Sequence, residues 1–210
     1  MKINNLIIIS IILISFIVGI YLYPTMPEIM ASHWNSQGEV NGYMQKFWGL
    51  FIMPIMSVGL FLMFSLIPKI DPMKENIKKF REYFDTFIVI LILFLFYIHL
   101  LTIFWNMGFK FNMTRFLVPS MGILLFYCGI LIEKAKRNWF IGIKTPWTLS
   151  NDEVWDKTHK RGGKLFKICG VISFLSILFP NWAIFFTIIP IIFTSLYLFI
   201  YSYLEYKKIT

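Results

Sequence analysis

No aspartate or glutamate falls within any of the long apolar runs of this 210-residue chain. Proton- and cation-coupled carriers usually place such groups at mid-membrane, so their absence argues against a carrier. Cysteine is nearly as scarce. Cys128 and Cys169 both lie in apolar runs and read as small buried hydrophobes, with nothing pointing to a disulfide or a metal. Only three histidines are present. No His-Glu-x-x-His, no paired acids within the apolar runs and no Ser/His/Asp set at usable spacing appears, so the sequence names no catalytic residue, no metal ligand and no cofactor. Polar sequence is confined to short loops, which leaves no room for a separate soluble domain.

What the chain does have is apolar length. Hydrophobic residues make up 58% of it and charged residues 15%, far from a soluble balance. A bilayer core of ~30 Å requires ~20 apolar residues per helix. Six stretches qualify: Leu6–Tyr23, Phe47–Ile67, Thr86–Asn106, Arg115–Ile132, Leu165–Phe179 and Trp182–Tyr203. The fifth is short and contains Lys167, whose ammonium is expected to snorkel to the interface. The first run is too long for a signal-peptide core and no Ala-x-Ala site follows, so a retained helix is expected. The expected fold is an all-α integral membrane protein of six transmembrane helices.

Charge sets the orientation. Sixteen of the twenty Lys and Arg fall in the N-terminus, Pro68–Asp85, Glu133–Lys164 and the C-terminal tail. That bias places both termini and the two basic loops in the cytoplasm and Pro24–Lys46 outside. The formal charge of +9 then reads as attraction to an anionic inner leaflet, with no direct nucleic-acid contact needed to explain it. Three segments of one membrane unit follow: 1–67, two helices with an ordered outer loop; 68–132, an amphipathic connector and helices three and four; and 133–210, a polar loop and helices five and six.

The polar loops differ in character. In the outer loop, Glu28, His33, Trp34 and Asn35 are candidate ligand-facing residues, and Glu28, His33 and Glu39 could be imagined on one ligand or metal, though one His and two acids without regular spacing read as a pinned loop. The connector suggests an interfacial helix capped at Asp71-Pro72, with Met73, Ile77, Phe80 and Phe84 turned to lipid. Arg137–Gly163 is the longest polar interruption and carries three of the seven Trp. Its candidates are Arg137, Asn138, Trp139, Gly142, Lys144, Thr145, Pro146, Trp147, Trp155 and His159, followed by Gly162 and Gly163. Ser150 through Glu153 resembles a capping box that starts a helix running into the fifth span. Trp155, His159 and Gly162 would share a face of that helix. The two glycines suit either a close helix approach or a hinge. His99 lies inside the third span with Thr102 and Asn106 on the same face, which makes it an intramembrane candidate or a member of a polar seam.

The run from Arg137 to Ser150, RNWFIGIKTPWTLS, with Val154-Trp155, Thr158-His159 and Gly162-Gly163 behind it, resembles the SdpI immunity-protein family. The outer loop, with Pro27, His33-Trp34, Asn35, Gly38 and Gly42, resembles the N-terminal module often fused to that family. The resemblance implies a multi-pass protein of the bacterial cell membrane that protects against a secreted peptide toxin outside and holds a winged-helix autorepressor inside. The alternative is a small transporter or ion conduit. Which toxin, whether a repressor exists and the oligomeric state are not legible in the residues.

Overall fold

A computed structural model describes residues 3–209. The chain forms α1 (Ile3–Leu22), a hairpin of β1 (Ile29–Trp34) and β2 (Val40–Gln45), α2 (Lys46–Ile70), the single turn α3 (Lys74–Lys78), α4 (Arg81–Asn106), α5 (Met113–Lys134), the short α6 (Pro146–Ser150), α7 (Asp152–Leu175) and α8 (Ala183–Lys207). Five helices are long and apolar enough to cross a membrane: α1, α2, α4, α5 and α8. In hydrocarbon only internally bonded backbone is viable, and uninterrupted helix meets that condition. α7 differs. Its first half is charged, and it stops at Leu175, where the expected fifth span gives way to 3₁₀ turns at Ser176–Leu178 and Pro180–Trp182.

The helices pack in two groups. α1, α2 and α4 pack together, α7 lies between α5 and α8, and α4 also meets α5. The buried face of α4 runs Phe84, Ile88, Ile92, Leu95 and His99, a 3–4 spacing that keeps one stripe turned inward. On α1, Ile8, Ile11 and Ile12 complete that core.

The contact between α5 and α7 is made of glycine. A Cβ on Gly122 would lie 2.6 Å from the Gly170 carbonyl oxygen, and one on Gly129 would lie 2.6 Å from that of Gly163. Both helices repeat their glycines seven residues apart, so the two antiparallel backbones touch at two levels. Next to the lower pair, Lys167 Nζ meets Glu133 Oε2 at 2.6 Å. The lysine expected to snorkel thus has a carboxylate partner on the neighbouring helix.

Two expectations need correction. The connector is not a lipid-facing helix. Ile77, Phe80 and Phe84 are at most 1% exposed and sit in the main core beside Leu131, Ala135, Ile141 and Trp155. Only Lys74–Lys78 is helical before α4 begins, because the chain turns its apolar side into the end of the bundle. The outer loop, in turn, is a β-hairpin, so the chain is helical apart from one two-stranded ribbon. Its register pairs Met30 with Met44 and His33 with Gly42, and slips on either side of His33.

The glycine contact makes a prediction. Gly170→Val should lower stability by about 1–3 kcal/mol or more, because the side chain would push on the backbone of Phe126 and Gly122. Gly59, with nothing within 4 Å of a built Cβ, is the control. Gly59→Ala should be neutral, or stabilising by up to about 1 kcal/mol. Detergent-titrated unfolding of both variants checks the contrast.

Candidate functional site

The two polar segments that stood out in the sequence form two separate built structures at opposite ends of the bundle.

At one end, residues 135–151 fold into a compact knot over the start of α7. Asn138 is completely buried and uses its whole amide. Its Oδ1 accepts from the backbone N–H of Phe140 at 2.9 Å and Ile141 at 2.6 Å, and its Nδ2 donates to the carbonyls of Lys136 and Ile141, both at 2.8 Å. An unpaired buried backbone group costs roughly 1–3 kcal/mol, so one side chain accounting for four such contacts fixes this turn. Gly142 follows at φ +121°, and a Cβ there would lie 2.4 Å from His159 Nε2. Only glycine suits both the backbone angle and the space.

His159 joins the knot to α7. Its Nε2 accepts from the Ile143 N–H at 2.9 Å and its Nδ1 donates to the Trp155 carbonyl at 2.9 Å. Those roles require the neutral ring protonated on Nδ1. The ring stacks on Trp155 with centroids 3.8 Å apart and 14° between planes, and Trp155 Nε1 donates to the Ala135 carbonyl at 2.8 Å. Burial pushes the His159 pKa down to about 4, against a weaker upward pull from its bond to Trp155.

The rest of the loop is tied in from three sides. Arg137 pairs with Asp152 at 2.7 Å and donates to the Leu149 carbonyl at 2.9 Å. Thr145 caps α6 in a capping box with Thr148, and its hydroxyl donates to Ser202 on α8 at 3.0 Å. Pro146 takes the first helical position, where its missing N–H costs nothing. Trp147 packs on Phe199 and Tyr203 of α8. Trp139 and Phe140 are exposed at the tip, where Lys144 Nζ reaches the Phe140 carbonyl at 3.1 Å. The expected cap at Ser150 is displaced by one residue. Asn151 caps α7 through Glu153 and Val154, whereas Ser150 donates back to the Trp147 carbonyl. The short α6 takes up the residues that would have preceded a Ser150 cap.

Gly162 and Gly163 lie inside continuous α7 helix. A Cβ on Gly162 would sit 2.3 Å from Ile143 Cδ1, and one on Gly163 would meet Glu133 and Gly129. Of the two uses expected for these glycines, close approach is the one the geometry displays.

Asp71, legible in the sequence only as a helix cap, also fastens the motif loop. It is 2% exposed, and its carboxylate accepts from the Met73 N–H at 2.6 Å and the Trp139 N–H at 2.9 Å. Asn76 Nδ2 adds a bond to the Arg137 carbonyl at 2.9 Å. The connector therefore carries the polar groups that fasten the motif loop. The bond from Asp71 to Trp139 spans 68 residues, and no local pattern signals it.

At the other end sits the hairpin. Asn106, from the last turn of α4, pairs with Ala31 like a neighbouring strand, accepting from its N–H at 2.8 Å and donating to its carbonyl at 3.0 Å. Asn112 Nδ2 holds the Gln37 carbonyl at 2.6 Å. Asn35 shapes the turn, its Oδ1 accepting from the N–H groups of Gln37 and Glu39. Trp34 meets Trp105 edge to face with centroids 5.7 Å apart. The three groups considered as a metal or ligand set have separate partners: Glu28 pairs with Lys46, His33 with Asn41 and Glu39 with Asn35.

His99 belongs to neither structure. It is wholly buried, faces the Ser15 backbone of α1, and neither ring nitrogen makes a hydrogen bond of ordinary geometry among the described residues. The expected polar seam reaches only from Thr102 to Asn106, whose Nδ2 donates to the Thr102 carbonyl at 2.8 Å.

A bundle of long apolar helices, closed by a clamped hairpin at one end and a buried polar knot at the other, defines a multi-pass membrane protein. Residues 134–202, which hold most of the knot, match the model described as the SdpI/YfhL protein family. Residues 10–58, which hold the hairpin, match one described as a domain of unknown function, DUF1648. The chain is 27% identical over 207 residues to the immunity protein SdpI of Bacillus subtilis (strain 168), covering 98% of this chain and 97% of that one. The likeness to that family thus rests on residues 134–202 and on this full-length relative. No solved structure matches it.

The neutral His159 gives the knot a pH dependence. Its folded pKa of about 4 lies below the ordinary 6.5, so the unfolded chain binds more protons between those values. The contribution of the neutral ring is therefore complete above about pH 6.5 and is lost as pH falls toward 4, with a slope of up to ~1.4 kcal/mol per pH unit. His159→Gln keeps an acceptor for Ile143 and does not titrate. Unfolding midpoints of wild type and variant should converge as pH drops from 6.5 to 4, and parallel curves would show that the ring is not held neutral.

Proposed function

We propose that this chain is a non-enzymatic immunity and signalling protein of a bacterial cell membrane, protecting the cell from a secreted peptide toxin. The observation that carries this reading is the likeness to an immunity protein along almost the whole chain, across both polar ends and the helices between them. In this reading α7 is the fifth of six spans, its charged first half lying at the membrane surface. Both termini and the knot face the cytoplasm, a reading the Lys and Arg bias supports. The hairpin faces out and offers Glu28, His33, Trp34 and Asn35 to the toxin.

The geometry supports a two-ended device. Asn106 clamps the hairpin to the last turn of α4, and Phe80 and Phe84 at the start of the same helix sit beneath the knot with Ile141 and Trp155. A ligand shifts a protein only by binding one arrangement better than another. Toxin engaged at the hairpin would act through α4 on the knot, where the exposed Trp139, Phe140 and Lys144 offer a surface to a winged-helix repressor. Expressing the protein in a sensitive strain tests the first half. Challenged cells should hold their membrane potential, and Asn106→Ala, which releases the hairpin, should remove most of that protection while the protein still reaches the membrane. Potential lost as fast as in cells lacking the protein would rule out protection.

One observation favours a second reading, a proton conduit: the buried ring of His99, which faces the Ser15 backbone without a well-formed hydrogen bond. Liposomes containing the purified chain should show no proton flux above background under an imposed potential. A flux abolished by His99→Leu would put the conduit first.

A further inference from the structure

At the end of the bundle that carries the knot, α7 and the last turns of α8 enclose a depression of about 190 Å³ lined by Lys157, Lys160, Arg161, Lys164 and Tyr201. No acid lines it. Lys157 is committed to Glu153 at 2.9 Å and Glu205 at 3.1 Å. Lys160, Arg161 and Lys164 form no ion pair among the described residues. The Arg161 guanidinium lies 5.5 Å from the Tyr201 ring and 6.0 Å from that of Tyr197, and the two rings stack 5.8 Å apart. Aromatic faces therefore hold one cation in place, while neither lysine closes an ion pair and Lys164 is drawn to Glu133 only through space. Like charges gathered this way repel each other, and an anion among them removes that cost.

The depression continues along the helices. Through Arg161 it joins a groove of about 370 Å³ lined by Leu165, Phe193, Thr194 and Tyr197, toward the apolar middle of the bundle. On α7 the cations at 157, 161 and 164 recur at helical spacing, and the same side of the helix then turns apolar at Leu165 and the exposed Ile168. A cationic cup opening into an apolar trough matches a ligand with an anionic head and a hydrocarbon tail.

We propose that this groove is a binding site for an anionic glycerophospholipid of the leaflet facing the basic loops. Its phosphate sits among Lys160, Arg161 and Lys164, and one acyl chain lies along Leu165 and Phe193. The proposal rests on the membrane orientation given above but not on immunity, so the two stand or fall by different measurements. The lipid seals the α7–α8 seam where the charged half of α7 meets the bilayer.

The test is native mass spectrometry of the full chain released from detergent, titrated with phosphatidylglycerol or with phosphatidylcholine of the same chain length. Phosphatidylglycerol should be retained about fivefold or more over phosphatidylcholine, and Lys160→Gln/Arg161→Gln/Lys164→Gln should erase that preference. Removing equal charge at the other basic loop, with Lys69→Gln/Lys74→Gln/Lys79→Gln, should leave the preference intact. Leu165→Trp, which fills the trough, should weaken retention of the lipid. Glycerol phosphate, the same anion without a tail, should not compete. The proposal fails if the two lipids are retained equally or if both triple variants lose the preference alike. It also fails if glycerol phosphate or an acidic peptide displaces the lipid, since the site would then serve a soluble anion or a protein partner.

Discussion

Helices α5 and α7 meet backbone to backbone at Gly122 and Gly170 and again at Gly129 and Gly163, and the position of everything at the polar end follows from that contact. Lipid tails are as apolar as leucine, so nothing hydrophobic drives two helices together inside a bilayer. Close packing of small residues does, because it brings many atoms into dispersion contact at once. α7 needs such an anchor more than its neighbours do, since its first half is too charged to be held by the membrane. With α7 pressed onto α5, the end of α5 at Ala135 lies within reach of Trp155, and Lys167 finds Glu133.

On that platform the knot is an exercise in satisfying polar groups. Seventeen residues, only five of them in the helix α6, leave many N–H and C=O groups to account for, and several are met by a few buried side chains: Asn138, His159, Thr145, Thr148 and Asp71. Each makes at least two hydrogen bonds, which ties the loop to α7, α8 and the connector. At the far end the same device appears in smaller form, with Asn106 completing the edge of a two-stranded ribbon that would be marginal alone. Asparagine suits both places because its amide reproduces the donor and acceptor of a peptide group.

How far this was legible depended on the range of the interaction. Trp155, His159 and Gly162 could be placed on one helix face because 3.6-residue spacing is local. The start of α7 is legible to within one residue, but the choice of Asn151 over Ser150 turns on Ser150 being taken up by α6, whose cap Thr145 is also held by Ser202, 57 residues away. The connector was misjudged for a related reason. Met73, Ile77, Phe80 and Phe84 form an apolar stripe in any environment, and periodicity cannot tell lipid from protein as the surface it meets. Asp71 looked like an ordinary cap, and its partner at Trp139 was invisible until the loops were brought together.

The sequence by itself determined the class of molecule: apolar length and the placing of Lys and Arg follow from transfer energies that need no partner. It also marked Arg137–Gly163 as the segment with most to specify, since so many aromatic and polar residues are wasted on a simple linker. Only the tertiary structure decided what those residues do. It made His159 a neutral acceptor stacked on Trp155, gave Gly142 its positive φ beside that ring, and turned the outer loop into a clamped hairpin. These outcomes rest on hydrogen bonds and contacts between segments distant in the chain. Such interactions depend on geometry to within tenths of an ångström, and no local pattern of residues encodes it.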